Sequence, residues 1–332
     1  MKIVIDAFGG DNAPNEVIKA VRKAKDELNV EIVLCGDESK IKNSAKELSI
    51  NIDDMEILHT PEVFDIHEQP SKIIKEGKNT SLAMGLQAVK DGKGDAFVSA
   101  GSSGALVVGA AFIVKRIAGI KRPAMTAMLP TISGRRIMLV DAGANAECRP
   151  EMLLQFAIMG SAYMKCVKGI ENPKIGLLNI GAEETKGREL ELETYQLLKD
   201  APINFGGNAE AREVPTGHFD VIVSDGFSGN VVLKLYEGMG SMFKKKLKEW
   251  FSGFFGTLSA ILVLKEIKEF QQLMDYKTEG GGIILGVAKP VIKAHGSSDA
   301  TAFYHAIRQA KLCVEGNMIA EITRTVQEMK GD

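Results

Sequence analysis

The sequence predicts a three-layer α/β/α protein built on a doubly wound, mostly parallel sheet. Short apolar runs rich in Val, Ile and Leu alternate along the chain with longer segments of helical periodicity. The runs show little apolar–polar alternation, which is typical of parallel strands covered on both faces. The 332 residues, 45% of them apolar, suffice for a large core. We expect a single α/β domain over residues 1–332, with a protruding helical insertion at about 236–280.

Seven strands and five helices are predicted in alternation. The strands are Lys2–Asp6, Glu31–Cys35, Met55–Leu58, Asp95–Ser99, Ile137–Asp141, Lys174–Asn179 and Asp220–Ser224. The helices are Asn15–Leu28, Ser71–Lys90, Ala105–Lys115, Pro150–Lys168 and Glu189–Leu198. Because parallel strands are joined by right-handed crossovers, we expect the loops that follow these strands to share one edge of the sheet.

The segment from Ser228 to Tyr276 departs from this alternation and predicts nearly continuous helix, which we interpret as an inserted hairpin. Its bulky apolar residues, at helical spacing, are Trp250, Phe251, Phe254, Phe255, Leu258, Ile261 and Leu262. The lysines that flank them include Lys244, Lys245 and Lys248. We favour contact of this face with a membrane interface, where lysines meet anionic headgroups. The alternative that the residues themselves offer is a buried dimer contact.

Composition excludes several classes of protein. The near balance of 41 Lys and Arg residues with 43 Asp and Glu residues argues against a nucleic-acid binder. Four scattered cysteines without a CxxC pair predict neither a disulfide scaffold nor a zinc site. The first residues lead directly into a strand rather than a signal peptide. The uncharged stretch Trp250–Leu264 has 15 residues, fewer than the roughly 20 that span a bilayer. We therefore expect a cytoplasmic protein.

Glycine is in excess, with 34 residues or about 10% of the chain against a usual level of about 7%. Many of these glycines stand in loops directly after predicted strands. The Gly-rich segments are Asp6–Asp11, Ser99–Gly104, Asp141–Asn145, Asn179–Glu189, Ser224–Asn230, Gly280–Gly282 and His295–Asp299. A strand, a Gly-rich loop and a helix N-terminus together present N–H groups to an anion. Several such loops at one edge predict an anion site.

The motifs of several enzyme classes are missing from the sequence. No G-x-G-x-x-G follows the first strand, so dinucleotide binding loses its support, and no Walker A, G-x-S-x-G or HExxH motif occurs. His295, Ser297 and Asp299 lie too close in sequence for a catalytic triad, and capping of a helix from Ala300 is the better interpretation. Aspartates at strand ends suggest Mg²⁺, but such residues often only orient loops. We predict neither a metal nor a cofactor.

The remaining candidates form an anion site without an obvious protein nucleophile. Lys186 and Arg188 lie among backbone donors in one loop, and plain surface charges at a helix start are the alternative. His295 precedes a Gly-Ser-Ser turn, where a packed or capping histidine is the alternative. Asn230 opens a long predicted helix, so it either contacts substrate or caps that helix.

Taken in order, these motifs resemble those of the PlsX family of phosphate acyltransferases over almost the whole chain. The matching segments are Asp6–Asp11, Ser99–Leu106, Val140–Asn145, Gly176–Gly181, Lys186–Gly187, Asp225–Asn230 and His295–Ser298. Two departures are visible: Ser102–Ser103 replaces a common Asn-Thr, and Gly281–Gly286 stands where Ala-Pro is common. The first departure keeps small polar donors, so we expect the same reaction, and both bear on how an acyl chain fits.

The resemblance implies a fold similar to that of the isocitrate and isopropylmalate dehydrogenases and phosphotransacetylase, and a homodimer. It implies transfer of a long-chain fatty acyl group from acyl carrier protein to inorganic phosphate. The product would be acyl phosphate for phospholipid (phosphatidic acid) synthesis. A lipid-bound product agrees with a peripheral position on the inner face of the cell membrane. With such substrates, the apolar hairpin has a further alternative role, in which it lines an acyl groove and presents its lysines to the acidic carrier protein.

Such a reaction needs no protein nucleophile, because phosphate is itself a nucleophile and a thiol with a pKa of about 8.5 leaves readily. The enzyme has to hold two anions together and stabilise an oxyanion on the thioester carbonyl. We predict that Lys186 holds phosphate, that Asn230 polarises the carbonyl, and that His295 binds phosphate or shuttles a proton. The predicted phosphate-binding residues are Gly101, Ser102, Ser103, Gly104, Lys186 and Gly187. The predicted substrate-loop residues are Asp6, Gly9, Gly10, Asp11, Asn145, Asn179, Asp225, Gly226, Ser228, Gly229 and Ser297.

Three other functions stay open. A phosphotransacetylase that uses acyl-CoA would share the chemistry, although the long apolar hairpin argues against a short acyl group. A non-catalytic scaffold for membrane and carrier protein would not need Gly-rich anion loops. A dehydrogenase of the isopropylmalate type would share the architecture, but the sequence offers no dinucleotide site.

Overall fold

The centre of the molecule is one 11-stranded sheet. The computed structural model describes residues 1–252, 263–273 and 279–329. The strands are β1 (Lys2–Asp6), β2 (Glu31–Gly36), β3 (Glu56–His59), β4 (Ala96–Ser99), β5 (Ala124–Pro130), β6 (Arg136–Val140), β7 (Ile175–Asn179), β8 (Phe205–Glu210), β9 (Val221–Val223), β10 (Gly282–Leu285) and β11 (Val291–Lys293). Their order across the sheet is β3-β2-β1-β4-β11-β10-β5-β6-β9-β7-β8.

Helices cover both faces of this sheet. The α-helices in the described residues are α1 (Asn15–Leu28), α2 (Glu38–Glu47), α3 (Ser81–Lys90), α4 (Ser103–Gly109), α5 (Pro150–Lys168), α6 (Glu189–Lys199), α7 (Gly226–Trp250), α8 (Leu264–Leu273), α9 (Ala300–Glu315) and α10 (Met318–Glu328). Shorter 3₁₀ turns span Pro70–Ile74 and Ala211–Thr216, and a π-helical stretch, Ala110–Lys115, continues α4.

The strands are buried on both faces, as their lack of alternation predicts. In β1, Ile3 and Ile5 pack in one apolar cluster together with Val17 of α1, whereas Val4 packs in a second cluster with Leu82 of α3. All seven predicted strands occur with bounds within two residues, and two of the predicted helices, α1 and α5, have the predicted bounds. The α/β class with a mostly parallel sheet between helical layers is therefore confirmed.

Two predicted helices differ from the structure. The predicted helix Ser71–Lys90 is interrupted, because the Thr80 hydroxyl accepts the Ala83 N–H and starts α3 as a separate helix. The predicted helix Ala105–Lys115 begins earlier, at Ser103, and changes to π-helical geometry at Ala110.

Four strands of the described structure, β5, β8, β10 and β11, were not predicted, and two of them, β5 and β10, alter the topology. Strands β5 and β10 lie in the middle of the sheet, where β10 runs antiparallel to both β11 and β5, and β5 runs antiparallel to β6. Three successive reversals leave β6, β7 and β9 pointing opposite to β1, β4 and β11. The expectation that all the Gly-rich loops share one edge is therefore wrong.

The long helix predicted after β9 is confirmed as far as Trp250, where α7 ends. Within the same predicted segment, Leu264–Leu273 is also helical and forms α8. Phe254, Phe255, Leu258, Ile261 and Leu262 lie outside the described residues. Exposed apolar side chains of α7 are Phe227, Val231, Leu235, Met239, Met242, Phe243 and Trp250. No helix in the described ranges has the length and hydropathy needed to span a membrane.

Candidate active site

The Gly-rich loops fall into two groups according to the direction of the preceding strands. The first loop group follows β1, β4 and β11, which are neighbouring parallel strands. The second loop group follows β6, β7 and β9, which are also neighbouring and parallel to one another. Since loops after parallel strands leave the same edge, each group forms its own cluster, and the two clusters leave the sheet in opposite directions.

Asp6 organises the first loop group from beneath. Its carboxylate is only 1% exposed and accepts hydrogen bonds from the hydroxyls of Ser81 and Ser99, each at 2.7 Å, and from the Phe8 N–H at 3.2 Å. Burial raises the pKa of Asp6, and these hydrogen bonds act in the opposite sense. Asp6, a predicted substrate-loop residue, thus holds the loops together from within the core.

The loops of the first group are also tied directly to one another. The Asp11 N–H donates to the Gly296 carbonyl at 2.8 Å, and the Asn12 amide donates to the Ser298 carbonyl at 3.2 Å. Gly9 stands where a Cβ atom would lie 2.6 Å from the Gly101 nitrogen. The three loops therefore touch, and a larger residue at position 9 has no room.

A lysine that the sequence analysis missed lies in this group. Lys293 ends β11 between Ser99 of β4 and Gly282 of β10. Its ammonium donates to the carbonyls of Ala100, at 3.3 Å, and of Ala294. Burial lowers the pKa of Lys293 to about 8. The available signal was a single lysine closing an otherwise apolar strand directly before the Gly-Ser loop.

The predicted polar residues of the first group lie at its surface. His295 is exposed, and its Nδ1 accepts the Ser297 N–H at 3.2 Å and lies 2.8 Å from the Ser297 hydroxyl. Asp299 caps α9 by accepting the Ala302 N–H, which agrees with capping rather than a catalytic triad. Ser102 caps α4 in the same way, and Ser103 is exposed.

Asp141 organises the second loop group much as Asp6 organises the first. It is fully buried, and its carboxylate accepts the N–H groups of Met125, Gly143, Ala144 and Asn145 at 2.7–3.1 Å. The Asn145 side-chain amide adds a further hydrogen bond at 2.8 Å. Burial raises the pKa of Asp141, whereas these donors favour the ionised form. Asn145, a predicted substrate-loop residue, is engaged in shaping its own loop.

The start of α7 completes the second loop group. Asp225, not Asn230, is the N-cap, since its carboxylate accepts the Ser228 N–H at 2.6 Å. Asp225 is 4% exposed and also pairs with Arg188 at 2.5 Å. Hydrogen bonds from Arg188 to Glu191 and then to Asp225 raise the pKa of its guanidinium above the usual value. The capping alternative for Asn230 is therefore wrong, and Asn230 lies one turn into α7 with an exposed side chain.

The helix start packs closely on the neighbouring loop. A Cβ atom at Gly229 would lie 1.9 Å from the Asp141 carbonyl oxygen, and one at Gly226 would lie 2.6 Å from the Asn145 carbonyl oxygen. The Gly226 N–H donates to that same Asn145 oxygen at 2.7 Å. These glycines therefore serve close approach of backbone to backbone.

Lys186 lies in the loop after β7 with an exposed side chain. The loop is held by the Asn179 amide, which donates to the Lys186 carbonyl at 3.0 Å. Gly187 adopts a φ of 104°, a conformation that other residues rarely accept. The structure thus places Lys186, Asn179 and Asn230 in the second group and His295 and Ser102 in the first.

None of the four thiols has the character of a reactive nucleophile. Burial raises the pKa of Cys35 far above the ordinary range, and raises that of Cys148 and Cys313 to about 12. The pKa of Cys166 is raised by the same cause. Since the thiolate is the reactive form, this environment disfavours covalent catalysis through cysteine.

Comparison with known proteins identifies the family. The family model described as "Fatty acid synthesis protein" matches residues 1–321. A phosphate acyltransferase of Thermoanaerobacterium thermosaccharolyticum is 45% identical over 100% of this chain and 98% of the relative. Another from Bacillus licheniformis is 46% identical over 99% of each. The chain belongs to the phosphate acyltransferase (PlsX) family. The predicted resemblance is confirmed, and the protein is an acyltransferase of fatty acid and phospholipid synthesis.

Solved structures agree on the fold of this family member. A phosphotransacetylase from Streptococcus pyogenes has a TM-score of 0.64 at 19% identity, covering 99% of this chain and 94% of that one. A 4-hydroxythreonine-4-phosphate dehydrogenase from Klebsiella pneumoniae has a TM-score of 0.53 at 13% identity, covering 97% and 99%. The predicted isocitrate dehydrogenase-like fold is therefore confirmed.

Proposed function

We propose that this acyltransferase moves a long-chain acyl group from acyl carrier protein to inorganic phosphate. The observation that carries the proposal is the first loop group, in which three Gly-rich loops touch and the partly buried Lys293 ammonium donates to the carbonyls of Ala100 and Ala294. The phosphate oxygen attacks the thioester carbonyl, a C–O bond forms, the C–S bond breaks, and the thiolate leaves and takes up a proton. The shielded thiols support this route, since phosphate rather than a cysteine is then the nucleophile.

The two loop groups have to cooperate for the predicted residues to act together. Lys186 and Asn230 belong to the second group, and Ser102, Ser103 and His295 to the first. We propose a homodimer in which the second loop group of one copy faces the first loop group of its partner. The partner's Lys186 then adds charge to the phosphate, and the partner's Asn230 polarises the carbonyl, while His295 binds phosphate or carries a proton.

The exposed apolar side chains of α7 support a second copy. Val231, Leu235, Met239 and Phe243 recur at four-residue intervals along the helix, and each is at least 41% exposed. Such a stripe buries readily against the same stripe of a second copy, because a twofold interface is self-complementary.

The far end of α7 supports contact with a membrane surface. Trp250 is 66% exposed, and Lys244, Lys245 and Lys248 on the preceding turns are exposed as well. An aromatic ring beside lysines suits an interface with anionic headgroups. We propose that this end attaches the enzyme peripherally to the inner face of the cell membrane.

One assay tests the reaction itself. The protein is incubated with long-chain acyl carrier protein, with and without inorganic phosphate, and free thiol is measured. We expect thiol release only with phosphate. Acetyl-CoA in place of the acyl carrier protein should react at least ten times more slowly. A preference for acetyl-CoA would instead establish a phosphotransacetylase, and an absence of release would leave a scaffold.

Mixed dimers test whether the site is shared between copies. Lys186→Ala and His295→Ala chains carrying different tags are co-expressed, and the heterodimer is purified. If Lys186 and His295 meet across the interface, each homodimer is inactive and the heterodimer regains about half of the wild-type activity, because one intact site is restored. A heterodimer as inactive as its parents, or a Lys186→Ala homodimer with normal turnover, would contradict this assignment.

Vesicle binding tests the proposed membrane contact. The double variant Phe254→Glu and Phe255→Glu should lose sedimentation with phosphatidylglycerol vesicles and remain a soluble dimer. Phosphatidylcholine vesicles serve as the control for the role of the lysines. A monomeric, inactive double variant would show that this segment is a dimer contact instead.

A further inference from the structure

Lys293 occupies an unusual position for a lysine. It closes β11, a strand whose other two residues, Val291 and Ile292, are fully buried. The ammonium lies below the loops of the first group and donates to the carbonyls of Ala100 and Ala294, one on each side. Two of its three N–H donors are therefore used by backbone.

The charge of Lys293 has no matching carboxylate at ion-pair distance among the described residues. Asp6 and Asp11 act on it only at longer range. The Asp6 oxygens are already engaged by Ser81 and Ser99. Even a partly buried cation without a paired anion is costly, and an apolar residue of similar size would fill the place with less loss of stability. Packing alone therefore does not explain a lysine here.

The loops next to Lys293 pack closely on one another. Gly10 has a φ of 97°, and a Cβ there would lie 2.9 Å from the Gly296 carbonyl oxygen and from the Ala100 side chain. The Asp11 N–H donates to the Gly296 carbonyl at 2.8 Å. Ala100, whose carbonyl accepts from the Lys293 ammonium, is therefore in contact with small residues and backbone of the neighbouring loops.

We propose that the Lys293 ammonium binds the phosphoryl dianion of the reaction, as inorganic phosphate before acyl transfer and as the phosphoryl group of the product afterwards. This inference rests on the proposed function and adds a catalytic residue to it. The third N–H of Lys293 contacts a non-attacking oxygen, which lowers the negative charge that the attacking oxygen carries toward the thioester. Lys293 keeps its proton throughout, so the atoms and electrons of the transfer balance as described above.

The role assigned to Lys293 differs from that of Lys186. Lys293 is partly buried and held by two carbonyls, so it is preorganised before phosphate arrives. Lys186 is exposed and is brought to the phosphate only by the second copy. We therefore expect phosphate binding by one chain to depend on Lys293 even where the dimer interface is disrupted.

The test compares Lys293→Met with Lys289→Met, a matched control two residues before the start of β11. Phosphate binding is measured by titration calorimetry and by the phosphate-induced rise in melting temperature, and the KM for phosphate by thiol release. We expect Lys293→Met to raise the phosphate KM at least tenfold and to lose the phosphate-induced stabilisation. Lys289→Met should behave as wild type. Lys293→Met with unchanged phosphate affinity and KM would overturn the proposal.

A second pair of variants keeps the test decisive if Lys293→Met does not fold. Lys293→Arg retains the charge and Lys293→Gln retains polarity alone. Phosphate stabilisation that survives in Lys293→Arg and is absent from Lys293→Gln supports the proposal, and equal stabilisation of both overturns it. Wild-type thiol release that does not require phosphate would refute the proposed function. If wild-type thiol release requires phosphate but the Lys293 variants have the phosphate affinity and KM of wild type, only this inference is refuted.

Discussion

The two loop groups solve the same structural problem and differ in how they treat positive charge. In each, a buried aspartate after a strand, Asp6 or Asp141, gathers hydrogen-bond donors from the loops around it. In the first group the partly buried Lys293 donates to two carbonyls. In the second group Lys186 is exposed, and Arg188 pairs with both Glu191 and Asp225.

The difference indicates where an anion is bound most strongly. A guanidinium already paired with two carboxylates has little charge left for a substrate, whereas an ammonium that meets only carbonyl oxygens keeps its full charge. In the second group the Asp141 carboxylate accepts five hydrogen bonds, so we expect its loop to be stiffer than those around Asp6. We infer that the first group supplies a preorganised binding charge, and that the second group supplies a rigid framework from which the exposed Lys186 adds charge to the site of the partner copy.

The largest expected effect is at the tightest contact of the second group. Gly229→Ala places a methyl group against the Asp141 carbonyl oxygen and should lower the free energy of unfolding by about 4 kcal/mol. Gly238→Ala in the same helix is the control, because nothing lies within 4 Å of its Cβ position. That control should stabilise by about 1 kcal/mol. Denaturant unfolding of both variants checks this, and equal effects would contradict the close packing.

Replacing Asp141 or Asp6 by asparagine should lower the free energy of unfolding by different amounts. Asp141→Asn turns an NH₂ group toward N–H donors that cannot reverse, so we expect a loss of about 3 kcal/mol in unfolding free energy. Asp6→Asn should cost only about 1 kcal/mol, because the Ser81 and Ser99 hydroxyls can rotate and accept. Urea unfolding of both variants gives the comparison. A larger loss at Asp6 would show that the first group is the stiffer one.

The buried lysine should leave a signature in the pH dependence of stability. The pKa of Lys293 is lowered to about 8, and its ordinary value is 10.5. Between these values the unfolded chain binds more protons than the folded one, so stability rises as the pH rises from about 8 toward 10.5. Asp6 and Asp11 are the charged groups that oppose this shift. Lys293→Met should remove a rise on the order of 2 kcal/mol. Unfolding in phosphate-free buffer across this range, with Lys289→Met as control, checks it.

The smallest expected effect on the free energy of unfolding is that of replacing Arg188, whose guanidinium is ion-paired. Arg188 is 62% exposed in its side chain, so its ion pairs are screened by water. Arg188→Ala should change the free energy of unfolding by about 0.5 kcal/mol. A loss as large as that of Asp141→Asn would show that Arg188 supports the second group more than its exposure indicates.

The sequence predicted the strands that carry strong apolar runs and missed those that do not. Strand β5 has two alanines and ends in Pro130, and β8 contains two glycines, so neither resembles a strand locally. The omission of β5 and β10 caused the error about the shared edge, because the antiparallel pairings of these two strands leave β6, β7 and β9 opposite in direction to β1, β4 and β11. Lys293 was missed because its environment depends on β4 and β10, which lie beside it in the sheet, and β10 was not predicted.

The loops themselves were predictable, because the roles of glycine and aspartate directly after a strand depend on residues close to them in sequence. The Asp225 cap and the Gly229 contact lie within one turn of a recognisable motif. Which loops face one another is a property of strand order, and strand order depends on contacts between residues far apart in sequence.

Helix α7 makes more contacts with the rest of the protein in its first half than in its second half. Asp225 and Gly229 fix its first turn, and the Tyr236 hydroxyl donates to the Pro130 carbonyl, whereas the side chains beyond are largely exposed. The 15 residues from Tyr236 to Trp250 extend about 21 Å along the helix axis. A tilt of ten degrees about the anchored part moves the Trp250 end by about 4 Å and leaves Gly229 in place. The far end can therefore adjust to whatever surface it meets while the geometry of the loops is preserved.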